Sequence, residues 1–192
     1  KIIKDPIVDY DLKVNRKKSK VSRPSKSKLL GFSFYKTTSL WQIRIHQDSM
    51  SRVKRKLKKL TSRNNGKNFE QKVQALRPIV TGWVNYFRLA KGASLMKQLD
   101  ELVRIRLRMG LWKEWKHPKG RFKNLLRLGV KKQKAYEWAN TRRGYCRVAH
   151  SPILSRPLNN GYFYTKGYEG FYKTYERRTN IDMTAIEYIE DE

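Results

Sequence analysis

The chain has 192 residues, with 45 Lys and Arg against 16 Asp and Glu, and a formal net charge of +29 at pH 7. Six of the acids but only two of the basic residues follow residue 175, so residues 1–175 carry a net charge of +33. A charge this large repels itself and is tolerated mainly beside a polyanion. Basic disordered tails are poor in apolar residues, whereas 39% of this chain is hydrophobic and 12% aromatic. The composition predicts a folded protein that binds nucleic acid.

Cys146 is the only cysteine, which excludes an internal disulfide and a zinc site built from several cysteines. We expect it to be a small buried apolar residue. No apolar run approaches the ~20 residues of a membrane-spanning helix. The expected location is the cytoplasm of a bacterial-type cell, with association with the nucleoid or residence in an organelle as alternatives.

Two strand-like stretches follow a highly charged N-terminal segment. "KLLGFSFY" (28–35) and "LWQIRIH" (40–46) are rich in apolar and aromatic residues and are separated by a short polar linker. They predict a β-hairpin or two adjacent strands.

The hydrophobic period then changes to that of a helix. Apolar residues recur at 3-4-3 spacing from Met50 to Leu60, Asp48 or Ser49 can cap the start, and Asn64-Asn65-Gly66 ends it. Like charges four residues apart destabilise a helix, so the cations on its outer face favour contact with nucleic acid over a merely solvated surface. These cations are Lys54, Arg55, Lys58, Lys59 and Arg63.

A second helical stretch runs from about Asn68 to Ala90, where Pro78 is expected to break or kink it. Shorter helical patterns lie at 121–130 and 131–140, and the remainder predicts loops with one or two short helices. Three of the aromatic side chains are expected in the core. They are Trp83, Phe87 and Trp138.

The stretch "VRIRLRMGLWKEWK" (103–116) alternates arginines with apolar residues, which is the period of a strand. No turn precedes it, so we favour a third helix that begins with Ser94 as its cap and is ended or bent by Gly110. On that helix one basic stripe would hold Arg104 and Arg108, and the opposite stripe Arg106 and Lys113.

Two clusters at 108–123 and 141–150 interleave Arg and Lys with Trp, Tyr and Phe. Basic groups bind phosphates and aromatic rings stack on unpaired bases, so the mixture favours structured or single-stranded RNA over uniform duplex DNA. Together with the third helix, these clusters supply further candidate nucleic-acid contacts. They are Arg104, Arg106, Arg108, Lys113, Lys116, Arg121, Lys123, Arg142, Arg143, Tyr145 and Arg147.

No catalytic constellation is recognisable. The three histidines are scattered without metal-ligand spacing, and no glycine-rich phosphate loop is present. Ser151-Pro152 predicts a helix N-cap followed by proline at the first helical position, rather than a nucleophile beside His150. No catalytic residue and no metal ligand are predicted.

Several stretches resemble the C-terminal part of group II intron-encoded reverse transcriptase/maturases. "DLKVNRKKSKV" followed by "KLLGFSFY" looks like the end of the polymerase palm. "LRPIVTGWVNYFRLA", "RIRLRMGLWKEWK", "LLRLGV" and "WANTRRGYCRVAHSPIL" look like the maturase-specific thumb (domain X) and the segment behind it. The resemblance covers about residues 10–165 in order.

The resemblance implies a mainly α fold. It consists of a helical thumb bundle with a small N-terminal β-hairpin and an irregular C-terminal segment of short helices. The implied divisions are a palm-end remnant (1–46), a thumb (47–117), and a basic nucleic-acid-binding segment with an acidic tail (118–192). The residues that would correspond to the primer grip are Leu29, Leu30, Gly31 and Phe32.

The resemblance also implies a function: binding of group II intron RNA in support of splicing and retrotransposition. The Tyr-x-Asp-Asp metal site of these polymerases is absent, so we expect no activity from this chain alone and no cofactor in it. Magnesium would belong to the intron RNA or to a partner palm. Target DNA, an RNA/DNA template–primer and a chain carrying fingers and palm are further candidate partners, and no membrane is expected.

Two alternatives remain open. The chain could be the thumb of a split RNA-directed DNA polymerase that is active only with a palm-bearing partner, or a general basic RNA-binding protein.

Overall fold

The computed structural model describes residues 21–38 and 40–190, and side chains as far as residue 180. Over this part of the chain there are three short strands, a 3₁₀ turn at Pro24–Lys26 and nine helices. The strands are β1 (Lys28–Leu29), β2 (Phe32–Lys36) and β3 (Trp41–Ile45). The helices are α1 (Gln47–Leu60), α2 (Phe69–Phe87), α3 (Ala93–Glu114), α4 (Pro118–Arg127), α5 (Lys132–Ala139), α6 (Tyr145–His150), α7 (Pro152–Ser155), α8 (Asn160–Thr165) and α9 (Phe171–Glu190). The predicted mainly α fold with a small N-terminal sheet is confirmed.

The sheet is antiparallel in the order β1-β2-β3, because the stretch 28–35, predicted as one strand, folds back on itself and forms both β1 and β2. Leu29 pairs with Phe32 across the two-residue turn Leu30-Gly31, whose φ angles are 50° and 86°. Positive φ at both central residues is what a two-residue hairpin turn of type I′ requires. Leucine rarely adopts it, so the surrounding structure must hold Leu30 in place.

Helix α1 buries Met50, Val53 and Leu57. Its N-cap is His46, whose Nδ1 accepts a hydrogen bond from the Asp48 backbone N–H at 3.1 Å. The prediction of Asp48 or Ser49 as the cap was therefore wrong, because the helix begins one residue before Asp48.

Helix α2 runs through Pro78 without a break, so the predicted break was wrong. Asn68 and Gln71 form a capping box at its start, and Val80 and Val84 in its second half are buried. Proline removes only one backbone hydrogen bond, to the carbonyl of residue 74. Because residues 74 and 78 are both exposed, this loss does not leave a buried carbonyl unpaired.

Helix α3 contains the whole alternating stretch 103–114, which confirms the predicted helix. Gly92, not Ser94, precedes its first turn as N-cap. Gly110 does not end the helix, which continues to Glu114. Gly110 is buried, and a Cβ added to it would lie 3.4 Å from Lys72 Nζ. The missing side chain gives the buried Lys72 room. Burial lowers the pKa of Lys72, and Glu114 opposes that effect.

The C-terminal part is more helical than the predicted irregular segment, because α9 is 20 residues long. Its first turn is capped by buried Asp100 of α3, which accepts hydrogen bonds from the backbone N–H groups of Phe171 (2.7 Å) and Tyr172 (2.9 Å). The Tyr168 hydroxyl donates to the same carboxylate at 2.9 Å. One hydrophobic core accordingly extends from Ile45 to Phe171.

Of three further expectations about individual side chains, the structure bears out two. Phe87 is buried, and Trp83 and Trp138 pack half-buried against the core, as expected. Cys146, expected to be buried, is exposed, because α6 turns Val148 and Ala149 toward the core instead. Ser151 and Pro152 do start a helix, α7.

Parts of the predicted chain lie outside the described residues. The palm-like stretch at 11–21 falls almost wholly there, and so do the side chains of the acidic tail from residue 181 onward. Among the helices that are described, none has the length and apolarity needed to cross a membrane.

Candidate nucleic-acid interface

The outer face of α1 carries cations that extend into solvent. Arg55, Lys58 and Lys59 are exposed and Lys54 is half-buried, and Arg63, which follows the end of the helix, is exposed as well. Asp48, in the first turn of this helix, pairs with Lys28 at 2.6 Å instead. The hydrogen bond and charge of Lys28 hold the pKa of Asp48 below its ordinary value. The predicted cations of α1 are thus left without an acidic partner within residues 21–180.

The end of α1 lies against α6. The Arg63 guanidinium carbon is 4.5 Å from the centroid of the Tyr145 ring, a cation–π contact. Arg142 and Arg143, just before α6, and Arg147, in its first turn, flank Tyr145 in sequence, and all three are exposed. The structure therefore places the predicted clusters at 54–63 and 142–147 side by side, and we call them together the α1/α6 surface.

One basic stripe of α3, formed by Arg106 and Lys113, is hydrogen-bonded to the end of α1. Arg106 donates through Nε to Thr61 Oγ1 at 2.7 Å and through Nη2 to the Lys58 carbonyl at 2.8 Å. Lys113 Nζ lies 3.0 Å from the Arg63 carbonyl and 2.7 Å from Asn64 Oδ1. A cation is favourable at a helix C-terminus, where carbonyls lack partners. Arg106 and Lys113 thus fix the last turn of α1 and the residues that follow it.

Arg106 is half-buried, so its charge is partly desolvated. Burial lowers the pKa of Arg106, and the nearby Arg63 lowers it further. A guanidinium stays charged even so. Whether Arg106 and Lys113 also contact nucleic acid stays a prediction.

The opposite stripe of α3 points toward α8. Arg108 donates from Nε and Nη2 to the Leu158 carbonyl at 3.1 and 2.9 Å, and its guanidinium lies 5.8 Å from the Phe163 ring. Burial lowers the pKa of Arg108, and Arg104 adds to this by repulsion. Arg104 itself is half-buried and borders a hollow beside α8 and α9.

The remaining predicted cations lie at the junction of α3 and α4. Lys116 and Lys123 are exposed. Arg121 packs its guanidinium 4.4 Å from the ring of buried Trp112. Arg121 therefore has a packing role within the fold, and its contact with nucleic acid stays a prediction.

The turn that resembles a primer grip is held by three hydrogen bonds. The Gly31 carbonyl accepts from the His46 backbone N–H at 2.9 Å and from Ser49 Oγ at 3.0 Å. The Tyr86 hydroxyl donates to the Leu30 carbonyl at 2.7 Å. These contacts fix the positive-φ turn against α1 and α2, while the Leu30 side chain stays 75% exposed.

Below this turn lies a groove of about 820 Å³ between α1 and α2. Trp83 and Ile79 contribute apolar lining, and Arg52 and Lys56 contribute charge. Sequence reasoning missed this cationic pair. Their spacing of four residues indicates that they share one face of α1. That this face borders the groove follows only from the position of the Leu30-Gly31 turn in the fold. No group of three or more potential metal ligands occurs among the described residues.

The fold and this surface define a small helical-bundle protein whose first helix presents cations that have no acidic partner within residues 21–180, beside an aromatic and basic helix. In a comparison with known families, residues 50–129 match the model described as "Group II intron, maturase-specific domain". The match runs from α1 to just beyond the end of α4, so residues 50–129 are similar to the maturase-specific domain of group II intron proteins. No curated protein matches the chain.

Proposed function

We propose that the chain binds group II intron RNA through the α1/α6 surface and stabilises the folded RNA for splicing and retrotransposition. The maturase-specific match over 50–129 supports the identity of the RNA. In the proposal the splicing chemistry, with its magnesium ions, belongs to the RNA or to a partner palm. The protein then needs charge and shape rather than a catalytic site of its own.

The observation that carries this proposal is the contact between Arg63 and Tyr145. It joins two basic clusters that are far apart in sequence into one surface. A surface with many cations and few acids binds phosphates, and an aromatic ring beside them offers a stacking partner for an unpaired base. The combination suits folded RNA better than uniform duplex DNA.

A competition experiment tests the proposal. Labelled group II intron RNA bound to the chain is challenged with the same intron or with random RNA of equal length, at ~150 mM salt where non-specific affinity is weakened. The proposal predicts that the intron competes at least about tenfold better, a difference of about 1.4 kcal/mol. Equal competition would favour a general basic RNA-binding protein.

A second candidate is the thumb of a split RNA-directed DNA polymerase, and one observation favours it. Strand β3 and the residue before it expose apolar side chains to solvent, namely Leu40 (67%), Trp41 (50%) and Ile43 (39%). Such a patch is typical of an interaction site, and a palm-bearing chain would cover it. In this case primer extension should appear only when such a chain is added, and Trp41→Ser should prevent it.

Within the proposal each division of the chain has its own task. Residues 1–46 would be the palm end, 47–117 the thumb, and 118–192 an extension of the RNA-binding surface. We place the protein in the cytoplasm, where intron transcripts are available.

A further inference from the structure

Two hollows lie side by side on the face built from α2, α3, α8 and α9. One has a volume of about 380 Å³ and is bordered by Lys97, Glu101 and Arg104 of α3. The other has a volume of about 540 Å³ and is bordered by Arg77 and Thr81 of α2. Both are lined by the same set of residues from α8, α9 and the loop between them: Tyr164, Tyr168, Glu169 and Lys173.

Tyr164 is the exposed aromatic residue common to both hollows, with 38% of its surface open to solvent. The Lys173 ammonium lies 4.2 Å from the centroid of its ring. Tyr168, by contrast, is buried and donates its hydroxyl to Asp100. Of the two tyrosines, Tyr164 is therefore the one that an incoming ligand can contact.

The acidic residues around these hollows are largely engaged inside the protein. Asp100 caps α9 and accepts three hydrogen bonds. Glu169 forms an ion pair with Arg177, with Oε2 to Nη2 at 3.0 Å. Besides these two carboxylates, the hollows are lined by the carboxylate of Glu101 and by four cations, so their net charge is positive. These cations are Arg77, Lys97, Arg104 and Lys173.

The loop that follows Tyr164 is fixed before any ligand arrives. The Asn159 side chain caps α8, accepting from the Tyr162 N–H at 2.9 Å. Gly167 has a φ of +83° and packs so closely that an added Cβ would lie 2.8 Å from the Arg77 guanidinium, whose Nε donates to the Gly167 carbonyl at 3.3 Å. A preorganised aromatic side chain loses less entropy on binding.

We propose that Tyr164 is the stacking platform of a second RNA site, which takes an unpaired nucleotide with its phosphates against Arg104 and Lys173. A partly exposed ring with the Lys173 ammonium over one face, and with Arg104 in the same hollow, matches the two parts of a nucleotide, since bases stack on aromatic rings and phosphates bind cations. The inference rests on the proposed RNA-binding function but uses a different face of the molecule. It also gives the two stripes of α3 different tasks: Arg106 supports the α1/α6 surface, and Arg104 borders the Tyr164 site.

Single-stranded RNA binding by the full chain tests this site. The probe is a ten-nucleotide single-stranded RNA with 2-aminopurine at its centre, and a duplex of the same length serves for comparison. Tyr164→Ala should weaken single-strand binding about tenfold, in the range found when a stacking aromatic is removed, and should reduce the quenching of 2-aminopurine. Tyr164→Phe keeps the ring and should bind within about twofold of the parent, because stacking does not need the hydroxyl.

Tyr136→Ala is the matched control, since Tyr136 is 66% exposed on α5 and borders neither hollow. It should leave single-strand binding unchanged, and duplex binding should be unaffected by all three tyrosine substitutions. Thermal denaturation shows which variants are folded. If Tyr164→Ala does not fold, Lys173→Gln replaces it and should weaken the single strand more than the duplex.

Crosslinking locates the contact independently. RNA containing 4-thiouridine, irradiated with the full chain, should give an adduct on the tryptic peptide that ends at Lys166. If Tyr164→Ala binds the single strand as tightly as the parent and the adducts lie elsewhere, the site is refuted while RNA binding through the α1/α6 surface stands. If the parent chain binds neither intron RNA nor the probe, the proposed function and this inference both fail.

Discussion

Arg106 of α3 donates a hydrogen bond to Thr61 Oγ1 at 2.7 Å, across 45 positions of sequence. The same guanidinium reaches the Lys58 carbonyl at the end of α1. An arginine that the sequence predicts as an RNA contact therefore holds together the helix end on which other predicted contacts are mounted.

Removing this support should destabilise the protein. Arg106→Ala leaves the Thr61 hydroxyl and the Lys58 carbonyl without their partner, and we expect the free energy of unfolding in urea to fall by about 1–3 kcal/mol. Arg55→Ala is the control, because Arg55 is exposed on α1 and its removal should change stability by less than about 0.5 kcal/mol. Equal stability of the two variants would show that Arg106 does not support the end of α1.

The exposed cations of α1 should contribute to RNA affinity through charge. Arg55→Ala/Lys59→Ala should weaken intron RNA binding, and the slope of log affinity against log salt should fall by roughly 0.7–0.9 for each phosphate that is no longer neutralised. The control Lys132→Ala/Lys134→Ala removes the same charge from exposed lysines of α5 and should leave the slope nearly unchanged. An unaltered slope in the α1 variant would remove this helix from the interface.

The α6 cluster gives a separate prediction. Arg143 is exposed and adjoins Tyr145 through Gly144, so Arg143→Ala should weaken intron binding several-fold while thermal stability stays near that of the parent. Arg156→Ala, which removes an exposed arginine just after α7, should bind as the parent does. A neutral result at Arg143 would indicate that Tyr145 and its neighbours have only a structural role.

Asp100 should matter for stability rather than directly for RNA contact. Asp100→Ala leaves the Phe171 and Tyr172 N–H groups and the Tyr168 hydroxyl without their acceptor. Loss of a cap together with unpaired buried donors should lower the free energy of unfolding by about 3 kcal/mol. Hydrogen exchange should speed up in the first turn of α9, and unchanged exchange there would show that the cap is dispensable.

The pH dependence of stability provides a further prediction. The hydrogen bond from Lys28, with its charge, holds the pKa of Asp48 below its ordinary value. A carboxyl whose pKa is lower in the folded state stabilises the fold above its unfolded pKa, and this contribution is lost as pH falls through the folded pKa. Asp48→Asn should therefore be less stable than the parent near pH 7, with a difference that shrinks below pH ~4. Since Asp48 is exposed, the difference should be small and should fall with added salt. A difference that does not change with pH would exclude an electrostatic origin.

The fold was predictable where local pattern decides it. The apolar spacing from Met50 to Leu60 located α1, and the absence of a turn before Val103 identified α3 as a helix despite its alternation. The partners of Arg106, Arg108 and Asp100 were not predictable, because the hydrogen bonds in question span 45 positions of sequence or more. Their residue type alone led to the prediction that Arg106 and Arg108 contact RNA. Nothing in the local sequence indicated that Asp100 would cap the long α9.

Predictions for single residues failed for a similar reason. Cysteine is usually buried, but the face that α6 buries is decided by contacts with distant helices, and that face is Val148 and Ala149. Proline inside a helical pattern predicts a break at Pro78, yet packing of Val80 and Val84 continues α2 beyond it. In each case the tertiary structure outweighed the preference of the residue.

The most direct test of the central claim is to crosslink the chain to RNA in its host and to sequence the RNA recovered with it. The α1/α6 proposal predicts that group II intron RNA is strongly enriched, and that Arg55→Ala/Lys59→Ala reduces the enrichment while Lys132→Ala/Lys134→Ala does not. Recovery of cellular RNAs in proportion to their abundance, with no enrichment of intron sequence, would contradict it.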